Sequence, residues 1–470
     1  MAYPVVARAY LLQLLQDRKG FTHTTPANDL SIKRQPDQVR IDGKRVWRQL
    51  LEVAAIGGIE GTTGMNRLAL SDSDQAVRDW FVDEARELGC RVMVDQLGNI
   101  FAVMPGQDNT LAPIGMGSHL DTQPNGGRFD GILGVLGALE VLRALKDSGI
   151  VTRRPLAAIN WTNEEGARFG SGCTGSAVWA GWSSLEQAYA METVPQKSTL
   201  YRELTHIGYK GEYPANHKSN PLSAHFELHI EQGRRLESGG HGIGVVTGIQ
   251  GNCRLRVHVH GEQAHSGSTP MLGRSDALIA SSKVVLHVQQ TGLKRGGFAT
   301  VGTIECCEGS INCIPGNTTF TVDLRHPHGR MLGLMEEDVR SKIKELECDN
   351  PKLRFEIEKI WESPATTFDE HAVDCVRKTA IKRFGQDQVM ELQSFAGHDS
   401  AMTQLKVPTA MIFVPSKDGI SHSPAEFTSE LQCAHGVQTL ADAILAFDRM
   451  TRMDLWQSTD DLLLCKEVLV

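Results

Sequence analysis

Side chains able to hold a divalent metal end a series of apolar runs that lie far apart in this chain. They are His119 and Asp121 in GSHLDT, Asp130 in GGRFDG, Glu164 and Glu165 in NEEGARFG, His229 in HIEQG, and His422 in GISHSPAE. Each sits in a short turn flanked by glycine or serine. A fold that uses them together must end several distant segments at one place. Open α/β sheets do this, because functional groups collect in loops beyond the carboxyl ends of parallel strands. The inventory suits a pair of metal ions that activate water and polarise a carbonyl, with one glutamate left over to handle protons.

The hydrophobic rhythm agrees. From about Trp47 to Ile243, short β-rich runs (99–105, 112–117 and 155–162) alternate with amphipathic stretches. Between Gly131 and Lys146, Ile132, Val135, Leu136, Leu139 and Leu142 recur at helical spacing, and Gly149 follows as a stop. Such alternation predicts an α/β domain, a mostly parallel sheet flanked by helices. The segment 183–222 is polar and reads as a helical insertion with a long loop.

Near Gly248 the rhythm changes. Cys253, Leu255, Val257 and Val259 alternate with Arg254, Arg256, His258 and His260, the period of a half-buried strand. A helix pattern (275–290), strands (298–305 and 318–325), a second helix (331–348) and a strand (354–361) follow. This βαββαβ order predicts a ferredoxin-like inserted domain over 248–362. The catalytic domain is then discontinuous, 1–247 and 363–470, because βα patterning resumes at 370–384 and 409–414 and His422 lies beyond it.

Composition narrows the function. A chain of 470 residues exceeds one usual hydrophobic core. A formal net charge of −8 argues against nucleic acid or an anionic membrane as partner. No apolar run approaches the ~20 residues of a membrane span; the best, 132–145, carries Glu140 and Arg143 and reads as a buried amphipathic helix. The first twenty residues make a poor secretory signal. A cytoplasmic protein is expected, with a mitochondrial presequence left open although Asp17 weighs against it. Ten cysteines without a CxxC pair fit reduced thiols.

Each candidate has a plainer alternative. Asp130 opens the helix at 131–146 and could be its N-cap. Asp121 could accept the second N–H of His119 and set its tautomer. Adjacent Glu164 and Glu165 would ordinarily be a solvated helix start, yet between an apolar strand and a glycine-rich turn they would repel; a cation ligating one leaves the other as general base. In HFELHIEQG, His225, Glu227, His229 and Glu231 share one face, where a lone histidine is most often a structural hydrogen-bonder. His422 has an equally bland loop reading. Gly170 to Gly175 matches GxGxxG, but the acidic pair intervenes between strand and glycines, against dinucleotide binding. GxSxG, GxxxxGK[ST] and HExxH are absent from the sequence.

From about Ala76 to Phe447 the chain resembles the amidase (hydantoinase/carbamoylase) branch of the M20 metallopeptidase family. That branch includes N-carbamoyl-L-amino-acid hydrolases, allantoate amidohydrolases and fungal-type β-ureidopropionases. EEGARF, HIEQG and GHDS carry the likeness, together with GEQAHSGSTPM, INCIPGN and VDLRHP. The resemblance implies two divalent metals, most often zinc, with manganese, cobalt or nickel as alternatives. His119, Asp130 and His229 would hold one, and Asp130, Glu165 and His422 the other, Asp130 bridging. It makes Glu164 the general base and His265, from a partner subunit, the oxyanion donor. Asn312 and Arg325 would grip a substrate carboxylate, Gln232 and His398 would line the pocket, and the inserted domain would form a homodimer. A small molecule is the implied substrate: an N-carbamoyl amino acid, cleaved at its carbamoyl C–N bond to amino acid, carbon dioxide and ammonia. Hinges near 247 and 363 are expected to close the site. SHLDTQPNGGRFDGILGV leans toward β-ureidopropionase and HSPAE toward the bacterial carbamoylases. Allantoate hydrolysis, dipeptidase or deacylase activity, and an inactive dimeric binding protein are the alternatives.

Overall fold

The computed structural model describes residues 39–193, 196–307 and 310–450; the presequence-like run at the start of the chain lies outside them. A large sheet organises most of these residues. Its strands are β1 (Arg91–Val94), β2 (Ile100–Met104), β3 (Ile114–His119), β4 (Leu156–Trp161), β5 (Ala224–Ile230) and β6 (Ile243–Ile249), joined after the insertion by β13 (Thr366–Thr367), β14 (Val389–Ser394) and β15 (Thr409–Val414). Spatial order runs β1-β2-β4-β3-β5-β15-β6, with β13 and β14 both on β6. The middle of the sheet is parallel: β4 with β3, β3 with β5, β5 with β15. Its margins are antiparallel, at β1–β2–β4 and between β15 and β6.

Helix α3 (Ile132–Ser148) lies against β3, and every residue from Ile132 to Leu145 is buried. It is therefore buried all round rather than along one stripe. Helices α1 (Gly43–Ala54), α2 (Asp72–Glu87) and α7 (Glu430–Arg449) complete that layer with α6 (Glu370–Phe384). The two charges within its buried stretch, Glu140 and Arg143, are matched from neighbouring helices. Glu140 accepts from Arg45 Nε at 2.6 Å, and Arg143 Nη1 donates to Gln49 Oε1 at 2.8 Å. Phe101, Ile159, Trp161 and Trp179 form a smaller cluster that also includes Met402. Two short helices, Leu185–Tyr189 and Leu200–His206, occupy the polar segment after β4.

The second sheet is antiparallel, in order β12-β7-β11-β9. It contains β7 (Gly251–His260), β9 (Phe298–Cys307), β11 (Asn317–His326) and β12 (Arg354–Ser363), with α4 (Ala277–Arg295) and α5 (Gly329–Asp349) between them in the chain. Cys253, Leu255, Val257 and Val259 bury against Val284, Val288, Met335 and Val339 of the two helices. The alternate β7 side chains, from Arg254 to His260, are exposed or half-buried. A two-stranded ribbon, β8 (Ala264–His265) with β10 (Cys313–Ile314), projects from this unit. No helix among the described residues is long and apolar enough to cross a membrane.

Candidate metal centre

Parallel pairing of β4, β3, β5 and β15 puts their carboxyl ends on one edge. His119 is the last residue of β3, Glu164 and Glu165 follow β4, His229 is next to last in β5, and His422 lies in the loop after β15. Asp130 arrives just before α3, and it is not a helix cap. The N-cap position is Gly131, with no side-chain cap bond. Gly131 has φ +68°, and a Cβ there would stand 2.3 Å from the His119 ring, so only glycine lets the turn approach this closely.

The ligand atoms of His119, Asp130 and His229 lie within 4.8 Å of one another, and so do those of Asp130, Glu165 and His422. Asp130 divides its oxygens between them. Oδ1 is 3.5 Å from His119 Nε2 and 3.2 Å from His229 Nε2, whereas Oδ2 is 3.4 Å from His422 Nε2. His422 Nε2 is also 3.4 Å from Glu165 Oε2. Both buried histidines donate Nδ1–H to main-chain carbonyls, His119 to Asp121 O at 2.8 Å and His229 to Ile230 O at 2.9 Å. That turns their Nε2 lone pairs toward Asp130, the tautomer a metal ligand needs. His119 Nε2 is buried without a hydrogen-bond partner. An orphaned buried nitrogen among carboxylates fits a divalent cation.

A third group, Glu227, His229 and His398, is also close enough to chelate. Its glutamate is already engaged: Glu227 accepts from Ser118 Oγ at 2.7 Å and from Ser400 N and Oγ at 3.0 and 2.7 Å. It belongs to the support of the site. His398 is buried, Nε2 to Ser394 Oγ at 2.8 Å, with its ring against that of His229.

Asp121 acts differently from the sequence expectation. Its carbonyl, not its carboxylate, meets His119; the nearer carboxylate oxygen is 3.9 Å from Nδ1. The carboxylate instead accepts the main-chain N–H groups of Glu164 and Glu165 at 3.3 and 3.2 Å. It thereby orients the turn that carries both glutamates. Glu164 Oε2 is 3.5 Å from His119 Nε2, while Cys173 Sγ donates to Glu164 Oε1 at 3.3 Å. Gln232, at φ +58°, donates Nε2–H to Asp130 Oδ2 at 2.7 Å.

The charges are tightly linked. Burial would raise Asp130, but His229, His119 and His422 outweigh it and hold the carboxyl well below its ordinary range. Burial, reinforced by Asp399, Glu165 and Asp130, keeps Glu164 well above the usual range against the pull of His119. Burial and then Asp130 push Glu165 up to about 7. The contact with Asp130, ahead of the charge of Glu165, raises His422 to about 9. Protons and a divalent cation thus compete for the same donors.

Three other candidates keep apart from this cluster. His265 Nδ1 accepts from Gly267 N and Ser268 N at 3.1 and 3.2 Å, and the side chain is exposed on the β8–β10 ribbon. Asn312, also exposed, accepts Ser266 N–H at its carbonyl at 2.9 Å. Arg325 forks onto Asp323 at 2.8 and 3.1 Å and donates Nη1–H to Phe395 O at 2.9 Å. Cys173, Ser421 and Glu426 are contacts that sequence reasoning missed. Ser421 and Glu426 flank His422 inside GISHSPAE, the one available signal.

Comparison with known proteins agrees with this geometry. Residues 115–446 match peptidase family M20/M25/M40. An N-carbamoyl-L-amino-acid amidohydrolase of Rhizobium meliloti is 39% identical over 86% of this chain and 96% of its own length. An allantoate amidohydrolase of Bacillus subtilis is 33% identical over 87% and 98%. A crystal structure of a hydantoinase/carbamoylase family amidase from Burkholderia multivorans superposes with TM-score 0.80 and 43% identity, covering 87% of this chain and 98% of that one. The chain belongs to the M20 metal-dependent family, in its hydantoinase/carbamoylase amidase branch, and is a hydrolase of C–N bonds other than peptide bonds.

Proposed function

We propose that the protein hydrolyses the carbamoyl C–N bond of N-carbamoyl amino acids, with two divalent ions, zinc first among them, in the two ligand groups. The observation that carries this reading is the adjacent pair Glu164–Glu165. One carboxylate joins a ligand group while the other faces the cluster outside both. Bound ions would supply Lewis acidity and lower the pKa of water toward neutrality. Glu164 Oε2 takes the proton of the attacking water, because Oε1 is held by the Cys173 thiol. The water oxygen bonds to the carbamoyl carbon, and Glu164 then returns its proton to the leaving nitrogen as the C–N bond breaks. Carbamic acid decomposes to carbon dioxide and ammonia.

His265 supports the same mechanism. Two main-chain N–H groups occupy Nδ1, so the ring proton is on Nε2 and points outward as a donor for an oxyanion. A homodimer through the 248–362 unit would bring it to a partner's site. Ile279, Leu286 and Leu293 form an exposed apolar stripe at seven-residue spacing on α4, and β9 is an edge strand. Arg325 would hold the substrate carboxylate with the fork edge that it now turns to Phe395 O.

The relative from Bacillus subtilis favours a second reading, allantoate as substrate. Ammonia release from N-carbamoyl-L-amino acids, N-carbamoyl-β-alanine and allantoate, measured side by side, separates the readings. Turnover of N-carbamoyl amino acids is expected to dominate, with the L-α-amino acids that name the Rhizobium relative ahead of β-alanine. Dominant allantoate turnover would replace the proposal.

A further inference from the structure

Glu426 is 3% exposed and ties together the two loops that carry Asp130 and His422. Its Oε1 accepts the main-chain N–H groups of both Phe129 and Asp130 at 3.1 Å, across 296 positions of sequence in the second case. Its Oε2 is 2.9 Å from Ser421 Oγ, which is also 2.9 Å from Asp130 Oδ2. Gly127 makes room: a Cβ there would stand 2.1 Å from Glu426 Oε1. We infer that Glu426 is a positioning residue, which sets Asp130 between the two ligand groups and seats the His422 loop against it.

The geometry separates this role from simple satisfaction of buried amides. One carboxylate reaches Asp130 twice, at its main chain directly and at its Oδ2 through Ser421. The second reach is on the oxygen that faces His422, so losing Glu426 loosens the Asp130–Glu165–His422 group more than the other. His119 and His229 are anchored independently by their Nδ1–H bonds to carbonyls. The inference rests on the metal reading above.

Titration of apoprotein with Zn2+ against a chromophoric chelator tests it, with melting of the apoprotein alongside. Wild type is expected to bind two ions. Glu426→Ala should weaken the second by about 10- to 100-fold while the first changes by less than about threefold. Glu426→Gln should stay close to wild type in both constants, since an amide keeps an oxygen for the two N–H groups and an N–H for Ser421. Ser421→Ala should weaken the second ion alone. Equal weakening of both ions by Glu426→Ala, or none, would overturn the inference. If that variant does not fold, Ser421→Ala with unchanged second-ion affinity overturns it instead. Wild-type protein that binds no Zn2+ would remove the metal reading beneath it.

Discussion

His119, Asp130 and His229 are at most 5% exposed, whereas His265 stands in the open on a two-stranded ribbon and Asn312 in the turn that leads into it. The first set hangs from a sheet buried on both faces, and its hydrogen bonds fix ring tautomers before any ligand arrives. The second set belongs to a unit whose own core is complete without it. The contrast divides the labour expected of the enzyme. On the proposed reading, the candidate metal-binding residues are preorganised by folding, whereas substrate capture and oxyanion stabilisation would wait for movement or a partner.

The sharpest way to break that division starts with Glu164. Glu164→Gln is expected to lower kcat by about 10²- to 10⁴-fold with metal content unchanged, read by steady-state kinetics and metal analysis. His265→Ala should cost about 10²- to 10³-fold. Mixing these two inactive variants should restore about one quarter of wild-type activity by random subunit exchange, since each hybrid dimer has one intact site. No recovery after proven exchange would place His265 in its own subunit's site or outside catalysis.

A smaller effect is expected at Arg325. Arg325→Ala should raise KM for N-carbamoyl amino acids by about 10- to 100-fold with a lesser change in kcat, as for loss of a charged hydrogen bond. An unchanged KM would leave Arg325 as the strand-surface ion pair that it makes with Asp323.

The buried half also makes a pH prediction. His225 accepts from Trp161 Nε1 and contacts Thr403, and burial lowers its pKa to about 4. Its folded pKa is below the unfolded value, so the unfolded chain takes up the proton first. The stability is present above about pH 6.5 and is lost as pH falls through 4, by roughly 3 kcal/mol in all. Urea unfolding at pH 7.5 and 5 should show a steeper loss in wild type than in His225→Gln. Parallel slopes would show that His225 is not held neutral.

Much of this was legible in the sequence because it depends on local rules. The change of period at Gly248 marks where the second sheet begins, and strand alternation places Cys253 to Val259 on its buried face. The ends of apolar runs place His119, Glu164, Glu165 and His229 on one sheet edge. Helix α3 was legible in its limits but not in its surroundings. Its burial on every side depends on α1 and α7, which pack from opposite ends of the described chain.

Residue types and spacing alone determined an α/β chain with candidate metal ligands gathered at strand ends. Tertiary structure decided which atom serves which neighbour. Asp121 uses its carbonyl on His119 and its carboxylate on the glutamate turn; Gln232 reaches Asp130; Glu426 spans loops from both ends of the large sheet's sequence. Such choices follow from a competition among donors for a few acceptors in a shared buried volume, where desolvation penalises every unmade bond. Position along the chain does not encode that competition, because its members meet only after the sheet has formed.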